Sequence, residues 1–191
     1  MSKSRGEVTE FLQTWTAGNP ESRERVLMLM YSELRRRAAA HLARERQGQT
    51  LQPTALVHEA YIRLMEQREV VWQNRNQFLA VASTMMRRIM VDRARARLAA
   101  KRSGQWAKLS LDDASSIATL PREIDTLDLN AALDRLAALD ARKSRIAEMK
   151  FFGGLSLEEI GDVLQVSSKT VDRDWQAARA LLFKMLSPTS D

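Results

Sequence analysis

Apolar residues recur along this chain at spacings of three and four, the period of helices with one buried face. Val8, Phe11, Leu12 and Trp15 mark a first helix from about Gly6 to Ala17, stopped by Gly18, Asn19 and Pro20. Pro20 then opens a second, because a first-turn N–H has no intrahelical partner to lose. Leu27, Met30, Tyr31, Leu34, Ala38 and Leu42 line one side of it, and Gln47 and Gly48 end it. A third starts at Pro53, carries Leu56, Ala60, Tyr61, Leu64 and Met65, and ends near Glu69. Val70 to Asn76 reads as a loop with Trp72 exposed or half-buried. A fourth helix runs from about Gln77 past Arg97 on the stripe Phe78, Val81, Met85 and Ile89. Residues 101–125 hold scattered Ser and Asp without a strong period, a linker with transient structure around Trp106 to Leu111. From Thr126 the stripe resumes with Leu129, Leu133, Leu136 and Leu139, and passes a break near Asp140 to Ile146 and Met149. Gly153 and Gly154 then form a turn before a short helix, about Leu157 to Leu164, and a final helix to about Leu186. No segment alternates as a strand does. The pattern predicts an all-α chain of two small helical domains, 1–100 and 126–191, joined by a flexible linker.

Composition narrows the function. The 191 residues carry a net charge of +6, which favours a polyanionic partner. There are no cysteines, so disulfides, thiol chemistry and Cys-based zinc sites are excluded. His41 and His58 fall on different helices, and Asp112 and Asp113 sit in the linker without a partner acid or base, so neither a metal site nor paired catalytic carboxylates is expected. No glycine-rich phosphate loop is present. The reading is a cofactor-free, non-enzymatic chain, with no apolar run long enough for a membrane and a polar start that suits the cytoplasm.

The strongest local pattern lies between Phe151 and Val171. Ser156 with Glu159 three residues on forms a capping box. Ile160 and Leu164 face inward, Gly161 is small where two helices must cross, Val166 plugs the turn, and Ser167 or Ser168 caps the next helix. Val171 packs back on Ile160. This is a helix-turn-helix, and its second helix points Ser168, Lys169, Thr170, Asp172, Arg173 and Gln176 outward to meet phosphates and base edges. Asp172 and Asp174 are unusual beside phosphates; either one of them accepts from a cytosine amino group or the two only tune the orientation of the helix. Trp175, Leu182 and Phe183 are expected to pack inward.

The fourth helix is strongly basic, with Arg87, Arg88, Arg93, Arg95 and Arg97 followed by Lys101 and Arg102, against the single acid Asp92. Just before it come Trp72, Gln73, Asn74, Arg75 and Asn76. An aromatic ring and amides beside a basic helix suit unpaired bases, which stack on rings and hydrogen-bond to amides.

With these two features the layout, from about Val8 to Leu186, resembles the extracytoplasmic-function (ECF) group of the sigma-70 family, bacterial initiation factors with two helical domains. Leu56, Val57, His58, Glu59, Ala60, Tyr61, Ile62, Arg63 and Leu64 are similar to the family's polymerase-binding helix, and Gly154 to Thr170 to its helix-turn-helix. The resemblance implies a first domain that docks on the beta-prime clamp helices of core RNA polymerase through Leu56, Val57, Glu59, Ala60 and Arg63, and a factor that also contacts the polymerase's beta flap. It implies that Trp72, Asn74, Arg75 and Asn76 hold flipped bases of the −10 element, with Arg87, Arg88 and Arg95 on the strands beside them. It implies that the second domain reads the −35 element of promoter DNA.

One departure stands out. The family usually begins its polymerase-binding helix with Asp-Ala-Glu-Asp, and here those places hold Gln52, Pro53, Thr54 and Ala55. Thr54 stands where the family has its Glu, in the first turn opened by Pro53. A phosphate there adds roughly −1.5 to −2 charge at a favourable helix N-terminus. Activation by a Ser/Thr kinase at Thr54, with Thr50 as second candidate, is therefore expected, against the plainer reading that Thr54 is a polar first-turn residue and Glu59 and Glu66 supply the charge. A membrane anti-sigma factor is a further candidate regulator. Two other functions fit part of the pattern: a helix-turn-helix regulator acting without polymerase, and a helical decoy that binds polymerase without opening promoters.

Overall fold

The computed structural model describes residues 2–16, 19–43, 51–66, 71–102 and 125–187. Eight helices account for these, with no strand among the described residues: α1 (Ser2–Thr16), α2 (Pro20–Leu42), α3 (Pro53–Met65), α4 (Arg75–Arg102), α5 (Thr126–Leu139), α6 (Ala141–Phe151), α7 (Leu157–Leu164) and α8 (Ser168–Leu186). The all-α expectation holds. None of the described helices is long and apolar enough to cross a membrane. Most of the linker, 103–124, with the structure expected around Trp106, lies outside the described residues, as does Thr50.

Helix ends follow local chemistry. Asn19 caps α2 by accepting from the Glu21 N–H, with Pro20 at its first position. Asp125 caps α5, and Asp140, at the predicted break, accepts from the Lys143 N–H to start α6. Some boundaries differ from expectation. The first helix begins at Ser2 rather than Gly6, and α4 at Arg75 rather than Gln77, where Asn74 accepts from the Gln77 N–H and sets the first turn. The described part of α2 ends at Leu42 and α3 at Met65, both before the glycine or polar residues expected to stop them.

In the first half, α1 packs on α2, α2 on α3, and α3 on α4; in the second, α5 and α6 pair and α8 lies across both, with α7 beside it. Leu12, Met30, Leu34, Leu56, Leu64, Phe78 and Ile89 fill the first half and Leu133, Leu136, Ile146, Ile160 and Val171 the second. The halves do not stand apart. α4 touches α5, α6 and α7, and one continuous hydrophobic cluster runs through both. Phe152, 1% exposed, lies 4.7 Å from the His41 ring, and His41 Nδ1–H donates to the Phe151 carbonyl at 2.9 Å. At Gly153 the approach is closest: a Cβ there would sit 2.0 Å from Ser83 Oγ on α4. Two apolar residues expected in the core are outside it. Leu139 is 69% and Phe183 75% exposed, each near the end of a helix whose buried stripe has already turned away.

Candidate nucleic-acid interface

The helix-turn-helix is built as its local sequence dictates. Ser156 Oγ accepts from the Glu159 N–H while Glu159 accepts from the Ser156 N–H, the complete capping box. Gln165 takes the left-handed conformation (φ 55°) that closes α7, and the Val166 N–H donates to the Gly161 carbonyl. A Cβ on Gly161 would lie 2.7 Å from the Val166 carbonyl oxygen, so no larger residue fits the turn. Ser167 caps α8 by accepting from the Thr170 N–H at 3.1 Å. Ser168, Lys169, Asp172, Arg173 and Gln176 are exposed and Thr170 is half-buried, so the six share the outer face of the first turns of α8. Asp174 does not belong to that face. It is 4% exposed and paired with Arg142 of α6 at 2.6 Å, which removes it from the exposed face expected to meet phosphates. Trp175 packs edge-on against Phe151, with ring centroids 5.5 Å apart.

The basic helix and its leading loop differ more from expectation. Trp72 is not available to stack on a base: it is 2% exposed and wedged between Trp15 and Phe78, each 5.3 Å away centroid to centroid. Asn74 is spent on the α4 cap. Arg75 reaches Glu33 of α2 at 2.5 Å and Glu159 of α7 at 3.0 Å, and Asn76 donates to Asp162 at 2.8 Å. Arg87 is held by Glu148 at 2.7 Å and Asp134 at 2.6 Å. Only Arg88 and Arg95, of the residues assigned to the −10 element, are exposed.

On α3, Leu56, Val57 and Ala60 are at most 2% exposed. Their side chains build the core rather than a docking surface, because the stripe Leu56, Ala60, Leu64 is the face turned towards α2 and α4. The opposite face carries Thr54, Ala55, His58 and Ile62, all exposed. Glu59 lies between, joined to Arg63 at 3.2 Å and Arg93 at 2.8 Å, while Arg63 also reaches Asp92.

Sequence reasoning missed the cluster that joins the halves. Glu33 and Glu159 sit between Arg37 and Arg75, and Arg37 also donates to the Gly153 carbonyl at 2.7 Å. The i,i+4 spacing of Glu33 and Arg37 was a visible signal, obscured by the run Arg35, Arg36, Arg37. Burial pushes the Glu33 carboxyl up, but hydrogen bonds and charge from Arg37 and Arg75 outweigh it and hold the group below its ordinary value. Glu159 shows the same balance: burial raises it, and the Ser156 N–H with Arg75 and Arg37 brings it below. Burial would lower Arg75, but bonds to Glu159 and Glu33 raise it. Depressed carboxylates contribute stability that is fully present above the unfolded value, roughly 4.3, and lost as pH falls through the folded one. The stability difference between wild type and Glu159→Gln should therefore stay constant from about pH 8 to 5 and shrink below about pH 4. Urea titrations of both proteins across that range check it; a difference that shrinks already between pH 8 and 6 excludes this origin.

Among the described residues no group of three or more His, Cys, Asp or Glu side chains could hold a metal ion. The arrangement offers charge, hydrogen bonds and an exposed polar face on the first turns of α8. No curated protein sequence matches the chain. The family model described as ECF sigma factor matches residues 5–188, nearly the whole length, so the chain belongs to the ECF sigma factors, which direct transcription initiation with core RNA polymerase on promoter DNA.

Proposed function

We propose that residues 1–100 dock on the beta-prime clamp helices and open the −10 element, and that residues 126–191 read the −35 element through Ser168, Lys169, Thr170, Asp172, Arg173 and Gln176. We further propose that a Ser/Thr kinase activates the factor at Thr54. The observation behind the second point is the start of α3. Its first turn holds no acid, Gln52 makes no side-chain cap, and Thr54 is exposed at the second helical position. The first-turn N–H groups of a helix have no intrahelical acceptor, and at this start, where Pro53 contributes none, a phosphate meets those that remain and adds the charge that Asp-Ala-Glu-Asp supplies elsewhere in the family.

The test is binding of purified core RNA polymerase to wild type, Thr54→Glu and kinase-phosphorylated chain at one salt concentration. One exposed charge at a helix N-terminus is worth about 0.3–1 kcal/mol, so Thr54→Glu should bind about two- to fivefold more tightly and the phosphorylated chain more tightly still. Equal binding by all three rejects the switch and keeps the polymerase-docking reading. No binding by any form leaves a regulator that acts on duplex DNA without polymerase.

A further inference from the structure

The two acids near the start of α8 separate in space. Asp174 is buried and joined to Arg142 of α6 at 2.6 Å, with Arg173 Nε 3.8 Å from its other oxygen. At the next position Trp175 meets Phe151 of α6 edge-on. These two contacts fix how α8 is rolled about its own axis. Asp172 precedes Asp174 by two residues, about 200° around the helix, so the roll that buries one carboxylate carries the other to the opposite side. There Asp172 is exposed, and it makes no ion pair among the described residues. Ser168 stands one turn before it and Gln176 one turn after, both exposed and each about 40° away around the helix. The hydroxyls of Ser167 and Thr170, by contrast, face each other at 2.8 Å within the cap.

An uncompensated carboxylate on a face that meets DNA raises the energy of the complex unless a donor offsets it. Phosphate and deoxyribose carry no N–H, and in the major groove only two base groups donate, cytosine N4 and adenine N6. Adenine sets its N7 acceptor beside N6, which suits a side-chain amide and repels a carboxylate. Cytosine has only a C–H on the ring beside its amino group. Resting on the −35 reading of α8, we propose that Asp172 is a specificity-determining residue of this helix and accepts a hydrogen bond from the N4 amino group of a cytosine in the −35 element. Asp174 has a different task. With Arg142 it is a positioning residue, holding α8 at the roll that presents Asp172. On any other duplex sequence the Asp172 charge meets phosphates or acceptor edges without compensation, so the same side chain also penalises wrong sites.

Holoenzyme assembled from core RNA polymerase and excess full-length factor selects from duplexes with a randomised upstream segment, and the bound sequences are counted. The −35 motif is the part whose enrichment Arg173→Ala lowers. Wild type should favour cytosine about tenfold at one position of it, and Asp172→Ala should cut that preference to about twofold or less while the other positions keep theirs. Asp174→Asn should weaken every sequence alike. The selected duplex is then made with N4-methylcytosine at that position, which keeps the base pair and puts a methyl where the groove-facing hydrogen was. It should bind wild-type holoenzyme about tenfold more weakly than the cytosine duplex, and Asp172→Ala holoenzyme almost equally. Asp172→Ala that strengthens all sequences alike and relaxes no position shows an acid that only repels, and overturns the proposal. A relaxed position that is A·T, equal wild-type binding of the methylated duplex, or an Asp174→Asn variant that relaxes the cytosine position overturns it as well. A wild type that enriches no motif sensitive to Arg173→Ala is a different failure, since it removes the −35 reading beneath.

Discussion

Trp72→Ala should lower the unfolding free energy by about 3–5 kcal/mol, the cost of emptying a large aromatic site in a packed core. With a total stability of about 5–15 kcal/mol for a protein of this kind, that is a large fraction. Trp72 is 2% exposed and closes a triangle with Trp15 and Phe78, whose own centroids are 6.3 Å apart. Its loss deletes two ring contacts, each worth about 0.5–1.5 kcal/mol beyond buried area, and undermines the seat of α1 on α4. Trp72→Phe keeps a ring in the site and should cost about half as much or less. Urea unfolding followed by far-ultraviolet circular dichroism gives both numbers. The opposite assignment makes the opposite forecast. A ring that stacked on unpaired bases would leave stability within about 0.5 kcal/mol and weaken single-strand binding by about 1–3 kcal/mol.

Trp72 also shows where sequence reading stops. Its neighbours Gln73, Asn74, Arg75 and Asn76 are polar and correctly place a loop, but local polarity says nothing about a partner 57 positions away at Trp15. The helix-turn-helix was legible because its determinants are local: a capping box four residues long, a glycine at the crossing, a serine cap. The inward face of α3 was equally visible in the spacing of Leu56, Ala60 and Leu64, yet the family motif drew the same residues to the polymerase surface. Arg87 and Arg88 are adjacent in sequence but about 100° apart around the helix, so one enters the contact with α5 and α6 while the other faces solvent. A run of arginines read as one basic surface hides that division. The docking of the halves rests on pairs more than 40 residues apart, Arg87 with Asn130 and Arg37 with Glu159, and no periodicity announces them.

The second large effect is expected at Glu159. This carboxylate accepts from Arg37 at 3.1 Å, from Arg75 at 3.0 Å and from the Ser156 N–H at 2.9 Å, with only 11% of its side chain exposed. Alanine would leave two guanidiniums, 10% and 12% exposed, with Glu33 as their one shared carboxylate. Removing one partner from a buried ionic cluster costs about 3–5 kcal/mol, since the remaining charge keeps its desolvation without its compensation. The lost half of the capping box adds to this by at most about 1 kcal/mol, and the two are not strictly additive because they share one carboxylate. For a chain of this length about 2–4 °C accompanies each kcal/mol, so the melting temperature should fall by about 6–20 °C. The melt itself should change shape. With the contact weakened, the second half, held by Leu133, Leu136, Ile146 and Val171, can unfold apart from the first, and one cooperative transition becomes two. Glu159→Ala combined with Arg75→Ala should recover part of the loss, because the second substitution removes a cation that the first left uncompensated. A double variant that loses the full sum of the singles would mean that Arg75 holds α4 through Glu33 rather than through Glu159. Glu159 would then act on α7 through its cap, and the two halves would owe their contact to the apolar side chains beneath.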